Sequence, residues 1–243
     1  MIVAVSPHLD DAVFSCGGWL LQRRKVAATI VTCFTKSVIN PAGFALACQL
    51  DKGLDAEVDY MHLRRAEDRR AAELLGVRTV HLPLPEAPHR GYGSAEELFA
   101  GIHEDDDILP ELTATVASSL RELRPTTVLY PYGAGNHADH LQVIRAVEAV
   151  QPKWPTVRFI RYYDQPYTYR HAHLYPELDR ASRWLGHPEK LPHHTARYRL
   201  SAERAERKHA ACAAYATQLA FQFGDAARMR SIIADSEYYL RVD

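Results

Sequence analysis

The 243 residues carry a formal net charge of −1, with 47% hydrophobic and 24% charged residues. That balance suits one large soluble domain and excludes bulk electrostatic attraction to nucleic acid or anionic membrane. No apolar run approaches the ~20 residues of a membrane span, so no membrane insertion is expected.

In chain order, residues 2–6 read as a short buried strand, and the pattern from Asp10 to about Arg24 is helical. Residues 27–34 form a second buried strand. Residues 35–58 hold Pro41, Gly43 and Gly53 without a clear period, and read as a long active-site loop with at most a short helix. A charged helix runs from Tyr60 to Leu75, with Gly76 placed to end it. A strand follows at 78–82, then a Pro-, Gly- and acid-rich loop over 83–108. Pro110 opens a helix to about Leu123, Thr127–Tyr130 is a strand, Asp139–Val150 a helix and 157–162 a strand. Residues 163–198 read as a long excursion, Ser201 to about Phe223 as one helix, and 225–240 as a final helical piece.

This alternation predicts an α/β fold with a Rossmann-like, mostly parallel sheet flanked by helices and long loops over the C-terminal strand ends. One domain is expected over 1–243, with 163–243 as a C-terminal elaboration. The four cysteines, Cys16, Cys33, Cys48 and Cys212, show no CxxC spacing. They read as reduced thiols, and Met1 leads directly into a strand with no secretory signal, so a cytoplasmic location is expected.

Two clusters carry the chemistry. Ser6-Pro7-His8-Leu9-Asp10-Asp11-Ala12 follows the first strand, and Gly133-Ala134-Gly135-Asn136-His137-Ala138-Asp139-His140 follows the strand at 127–130. Open α/β sheets place ligands at the carboxyl ends of strands, so both clusters belong to one face. His8 and Asp11, three residues apart, can converge on a divalent metal, and His140 supplies a third ligand. Two His and one Asp with an open position make a catalytic rather than a structural arrangement. Asp10 would take a proton from a bound water. His137 would stabilise an oxyanion or protonate a leaving amine, with Asp139 holding its tautomer and raising its pKa. Read singly, each cluster is also compatible with a plain role: the aspartates as helix caps, the second histidines as a solvated turn.

Ser-Pro-His-Leu-Asp-Asp resembles the [AS]-H-P-D-D-E motif of the LmbE-like family, also called the PIG-L deacetylases, and Asn-His-Ala-Asp-His resembles its His-x-Asp-His motif. The resemblance extends to Arg64-x-x-Glu67 with Leu75-Gly76-Val77, to Leu84-Pro85-Glu86-Ala87, to Tyr163-Asp164-Gln165-Pro166-Tyr167, and to Lys208 and Gln218. It implies a zinc-dependent N-deacetylase of an N-acetylglucosamine-type conjugate in natural-product or polysaccharide synthesis. Zn2+ is the implied cofactor, with Fe2+ or another divalent ion also suited to such ligands. His8, Asp11 and His140 are then the metal ligands, Asp10 the base, His137 the acid or oxyanion stabiliser and Asp139 its partner. Arg64 and Glu86 are implied substrate contacts, and Arg90 and Tyr163 are candidates by residue type. Ala12 stands where the family has Glu, and Leu9 where Pro is common. The same machinery would serve an amidase acting on a thiol-conjugate amide. A metal-free sugar-nucleotide binding module is the alternative from another class, and the missing phosphate-binding glycine pattern speaks against it.

Overall fold

A computed structural model describes residues 1–22, 26–184, 191–233 and 235–242. In chain order the first half contains β1 (Ile2–Ser6), α1 (Asp11–Gln22), β2 (Ala28–Thr32), α2 (Gly43–Leu50), α3 (Tyr60–Leu75), β3 (Arg78–His81), α4 (Ala95–Ala100) and α5 (Leu109–Leu123). The second half contains β4 (Thr127–Pro131), α6 (Ala138–Val150), β5 (Arg158–Tyr162), α7 (Tyr167–Arg170), β6 (Ser182–Trp184), β7 (Ala196–Arg199), α8 (Ala202–Cys212), α9 (Ala216–Phe223), α10 (Ala226–Ile232) and β8 (Ser236–Val242).

The sheet runs in the order β3-β2-β1-β4-β5-β8-β7-β6. β1 pairs in parallel with both β2 and β4, and only β8 runs antiparallel to its neighbours. β1 is therefore central, which explains a strand apolar at almost every position: a parallel strand covered on both faces has no solvent side to alternate with. Its residues divide by parity, Ile2 and Ala4 into one core cluster, Val3 and Val5 into the other. The chain leaves β1 toward β2 on one side and returns on the other as β4. The crevice where such a sheet reverses its order lies at the C-terminal ends of β1 and β4. His8–Asp11 and His137–His140 follow those two ends.

Several sequence expectations need correction. The segment 225–240 is not one helical piece: α10 ends at Ile232, and β8 follows as a strand between β5 and β7. Alternate residues of β8 point to opposite faces, and Glu237 and Tyr239 are the buried ones. The helix expected over 201–223 is two, broken at Ala213–Tyr215, where the Tyr215 hydroxyl donates to the buried Asp68 of α3 at 2.6 Å. The excursion at 163–198 includes β6 and most of β7, and the loop at 83–108 carries α4, whereas α2 is the short helix for which the reading of 35–58 left room. The expected end of α1 near Arg24 lies outside the described residues. Among the described residues no helix is long and apolar enough to cross a membrane.

Candidate active site

The turn after β1 is built by its own polar groups. The Ser6 hydroxyl donates to the His8 carbonyl at 2.7 Å and accepts from Ala12 N at 3.0 Å. The His8 amide donates to Asp11 Oδ2 at 2.8 Å, so the carboxylate caps the loop it belongs to. Asp11 opens α1, where a negative charge is favoured by the helix dipole. Ala12, at the position where the resembling motif has Glu, is buried in the core, and its amide is held by Ser6.

The turn after β4 places His137 as the N-cap of α6. Its Nδ1 accepts from Asp139 N at 3.1 Å, so the neutral ring carries its proton on Nε2. Gly133 and Gly135 both have positive φ, +96° and +85°, and a Cβ at Gly135 would come within 3.2 Å of Tyr167. A side chain is therefore disfavoured at Gly135 by backbone and by space.

The two turns meet. His8 Nδ1 lies 3.1 Å from Asp11 Oδ2, and His140 Nε2 lies 3.3 Å from the same oxygen. The outer nitrogen of each imidazole is bonded to a second carboxylate: His8 Nε2 to Asp139 Oδ2 at 2.9 Å, His140 Nδ1 to Asp164 Oδ1 at 2.6 Å. Asp164 Oδ2 also accepts from Gly133 N and Ala134 N, at 2.8 and 3.0 Å. Carboxylates placed in this way are what orients histidines for a metal, fixing the tautomer so that the inner nitrogen presents a lone pair.

The donor set fits a divalent ion. His140 Nε2 is buried with no hydrogen-bond partner, and its lone pair meets the Asp11 oxygen. Two facing acceptors at that distance suit a shared cation. Proton binding shows the same preference for positive charge. Burial opposes a charged imidazole at His140, but Asp11 and Asp164 outweigh it and raise the pKa to about 9. At His8, Asp11 and Asp139 likewise overcome burial and hold the pKa well above the usual value. Burial would raise Asp11, but His140 and His8 hold it well below the ordinary carboxylate range. His8, His137 and Asp139 also lie within ligand reach of one another. There, however, the Asp139 oxygens are committed to Ala87 N, His8 and the Arg90 guanidinium. His8, Asp11 and His140 are the better ligand set.

Asp10 sits beside them. Burial, then the Asp11 charge, push its pKa up to about 7, with Arg64 Nη2 at 3.7 Å opposing. A carboxylate in that range is suited to taking and returning a proton near neutral pH. His137 moves the other way, to about 3, through burial and the nearby His8. The sequence expectation has Asp139 holding the tautomer of His137 and raising its pKa; the Asp139 charge does act upward, but burial and His8 outweigh it. The Asp139 backbone N–H sets the tautomer, its carboxylate serves His8, and the His137 ring stays neutral.

His8, Asp10, Asp11, His137 and Asp139 line a cavity of about 220 Å³. Arg64 and Glu86 line it, bonded to each other at 2.5 Å. Arg90 and Tyr163, expected at the substrate, do not line it. Arg90 is inside the protein, donating to Asp139 Oδ1, the Pro85 carbonyl and both Asp106 oxygens. Tyr163 is buried, its hydroxyl shared with Glu177 and Thr195 and its ring stacked on Tyr132 at 4.2 Å. Their contacts are internal ones, which residue type alone does not reveal. Sequence reasoning missed Asp164 and Asp106 as support and Lys52, Phe99 and Phe221 as cavity wall. Only Asp164 left a signal, an acid just past the C-terminal end of a strand.

Residues 3–151 match the family described as PIG-L, GlcNAc-PI de-N-acetylase. The 2'-N-acetylparomamine deacetylase of Streptomyces fradiae is 37% identical over 166 residues, which cover 67% of this chain and 56% of that protein. The match thus spans little more than half the length of that curated relative. The A40926 pseudoaglycone deacetylase Dbv21 has a similar structure, with a TM-score of 0.76 at 25% identity over 99% of this chain and 96% of that one. A deacetylase of the teicoplanin pathway, solved in complex with teicoplanin, has a TM-score of 0.76 at 23% identity over 100% and 99% of the two chains.

Proposed function

The chain belongs to the PIG-L family, and from that premise we propose that it is a zinc-dependent hydrolase. Its reaction removes the N-acetyl group of an amino-sugar conjugate in natural-product biosynthesis. One observation carries this reading: two imidazoles and a carboxylate converge at the switch point of the sheet, and each imidazole is backed by its own carboxylate. The names of the similar proteins, deacetylases of amino-sugar-bearing antibiotics or their precursors, support the substrate class.

His8, Asp11 and His140 would hold the ion, and Asp139 and Asp164 would orient the two imidazoles. When bound, a divalent ion supplies Lewis acidity toward the amide carbonyl and makes water more acidic. Asp10 takes the proton of the attacking water. The Nε2–H of His137 donates to the developing oxyanion; a ring held neutral serves as donor better than as acid. Asp10 then returns its proton to the departing amine, giving acetate and the free amino sugar. Arg64, fixed between Asp10 and Glu86, keeps the base in place. Cys16, Cys33 and Cys212 are free and buried, in keeping with a reducing, cytoplasmic setting.

The test is acetate release from a panel of N-acetylglucosaminides by the zinc-loaded protein. Turnover should vanish with a chelator and return with the ion. A zinc-loaded, folded protein that releases acetate from none of them would refute the reading.

A further inference from the structure

The wall of the cavity above the metal cluster has an unusual composition. Val38, Phe99 and Phe221 are 36%, 38% and 52% exposed, and all three line it. They come from three separate elements: the loop before α2, α4 and α9. Large apolar side chains gathered from unconnected segments around one opening mark a surface that is covered in use.

The charges at the same mouth point the same way. Lys52 lies over the Phe221 ring, its Nζ 4.1 Å from the centroid, and donates to the Cys48 carbonyl. Arg170 donates to Gln222 at the same wall. Among the described residues, the carboxylates of the cavity are already engaged. Asp10 and Glu86 face Arg64. Asp59 accepts from Ser37 Oγ and His62 N, and Asp139 accepts from Arg90 and His8. Asp11 is shared by His8 and His140. An ammonium group entering beyond the reacting sugar would therefore meet Lys52 and Arg170, and only carboxylates that already accept hydrogen bonds or face Arg64. An uncharged apolar group would cover Phe221, Phe99 and Val38 and displace water from them.

We propose that the cleft takes an N-acetylated amino sugar whose aglycone is apolar and uncharged, seated against Phe221, Phe99 and Val38, and that it discriminates against polycationic aglycones. This rests on the deacetylase reading and deepens it. It also separates this chain from its 37%-identical relative, which is named for an aminoglycoside substrate.

Acetate release by the zinc-loaded protein would be measured with three probes: N-acetylglucosamine, octyl N-acetyl-α-D-glucosaminide below its micelle concentration, and 2'-N-acetylparomamine. The octyl glycoside is expected to exceed the free sugar at least tenfold in kcat/KM, and the paromamine derivative to fall at least tenfold below the octyl glycoside. Phe221→Ala should shrink the octyl-to-free-sugar ratio, and Lys52→Glu should move the preference toward the polycation. If 2'-N-acetylparomamine is the best substrate, or neither variant moves its ratio, the aglycone assignment is overturned while the deacetylase reading stands. If no probe releases acetate, that reading falls and takes this one with it.

Discussion

Asp164→Asn is the most informative substitution because it leaves the ligands untouched and changes only what orients one of them. The wild-type carboxylate is fully buried and accepts three hydrogen bonds, from His140 Nδ1 at 2.6 Å, Gly133 N at 2.8 Å and Ala134 N at 3.0 Å. An Asn side chain has one acceptor oxygen. If that oxygen faces the two backbone amides, the NH2 faces Nδ1 and drives the His140 proton to Nε2, where it blocks the metal. If it faces Nδ1, the NH2 confronts two backbone N–H donors instead. Either arrangement weakens the ion's hold by the 10–100-fold typical of lost outer-shell partners, about 1.4–2.7 kcal/mol. Competition for zinc against a chromophoric chelator reads this directly, with circular dichroism confirming that the variant is folded. A folded Asp164→Asn protein whose zinc affinity stays within about twofold of wild type would refute the role given to Asp164.

Asp10→Asn should keep zinc affinity and lose about 10²–10⁴ in kcat, the usual contribution of a positioned base; near-normal acetate release from the metal-loaded variant would remove Asp10 from that role. Lys208→Ala should destabilise the fold by about 3 kcal/mol, the low end for a broken buried pair, because Glu237 keeps Gly18 N, Trp19 N and the Tyr239 hydroxyl as donors. Urea unfolding measures it, and a loss below about 1 kcal/mol would contradict the burial reasoning. Burial raises Asp106, but the Arg90 hydrogen bonds outweigh it and hold its carboxyl below the ordinary range. A depressed folded pKa gives stability that is complete above the unfolded value of about 3.9 and is lost as pH falls through the folded one. Asp106→Asn should therefore show a flatter decline of unfolding free energy between about pH 5 and 3, and an unchanged slope would count against the Arg90 contact.

What could be read from the sequence was whatever depends on short range. β1 was legible because a strand buried on both faces has to be apolar throughout. The ligand turn was legible because His8, Asp10 and Asp11 are adjacent, and the sheet brings the end of β4 beside the end of β1 whatever the loops do. That Arg90 and Tyr163 lie off the cavity was not legible, because an arginine or a tyrosine in a loop looks the same whether it meets a sugar or braces Asp139 or Glu177. That distinction lives in contacts 49 residues apart for Arg90 and Asp139. β8 was read as helix because its partner strands lie far away in sequence, and pairing, not local preference, decides a strand's conformation.

The boundary of the family match bears on how specificity arises. The proposed ligands His8, Asp11 and His140, the proposed base Asp10 and His137 all fall within residues 3–151. Asp164, Phe221 and Glu237 fall outside it, yet each acts on the site. Asp164 fixes the ring of His140. Glu237 accepts from Gly18 N and Trp19 N in α1, the helix that Asp11 opens. α9 is tied to α3 where Glu67 accepts from Thr217 and Gln218 donates to Tyr60, and that bracing holds Phe221 over the cleft. The C-terminal elements therefore contribute to the site beside the motif turns. The turns determine which bond the cluster is equipped to cut. Of the cavity wall, the elements after residue 151 supply Tyr167, Arg170, Gln218, Phe221 and Gln222, positions at which the fit can change while the proposed ligands stay the same.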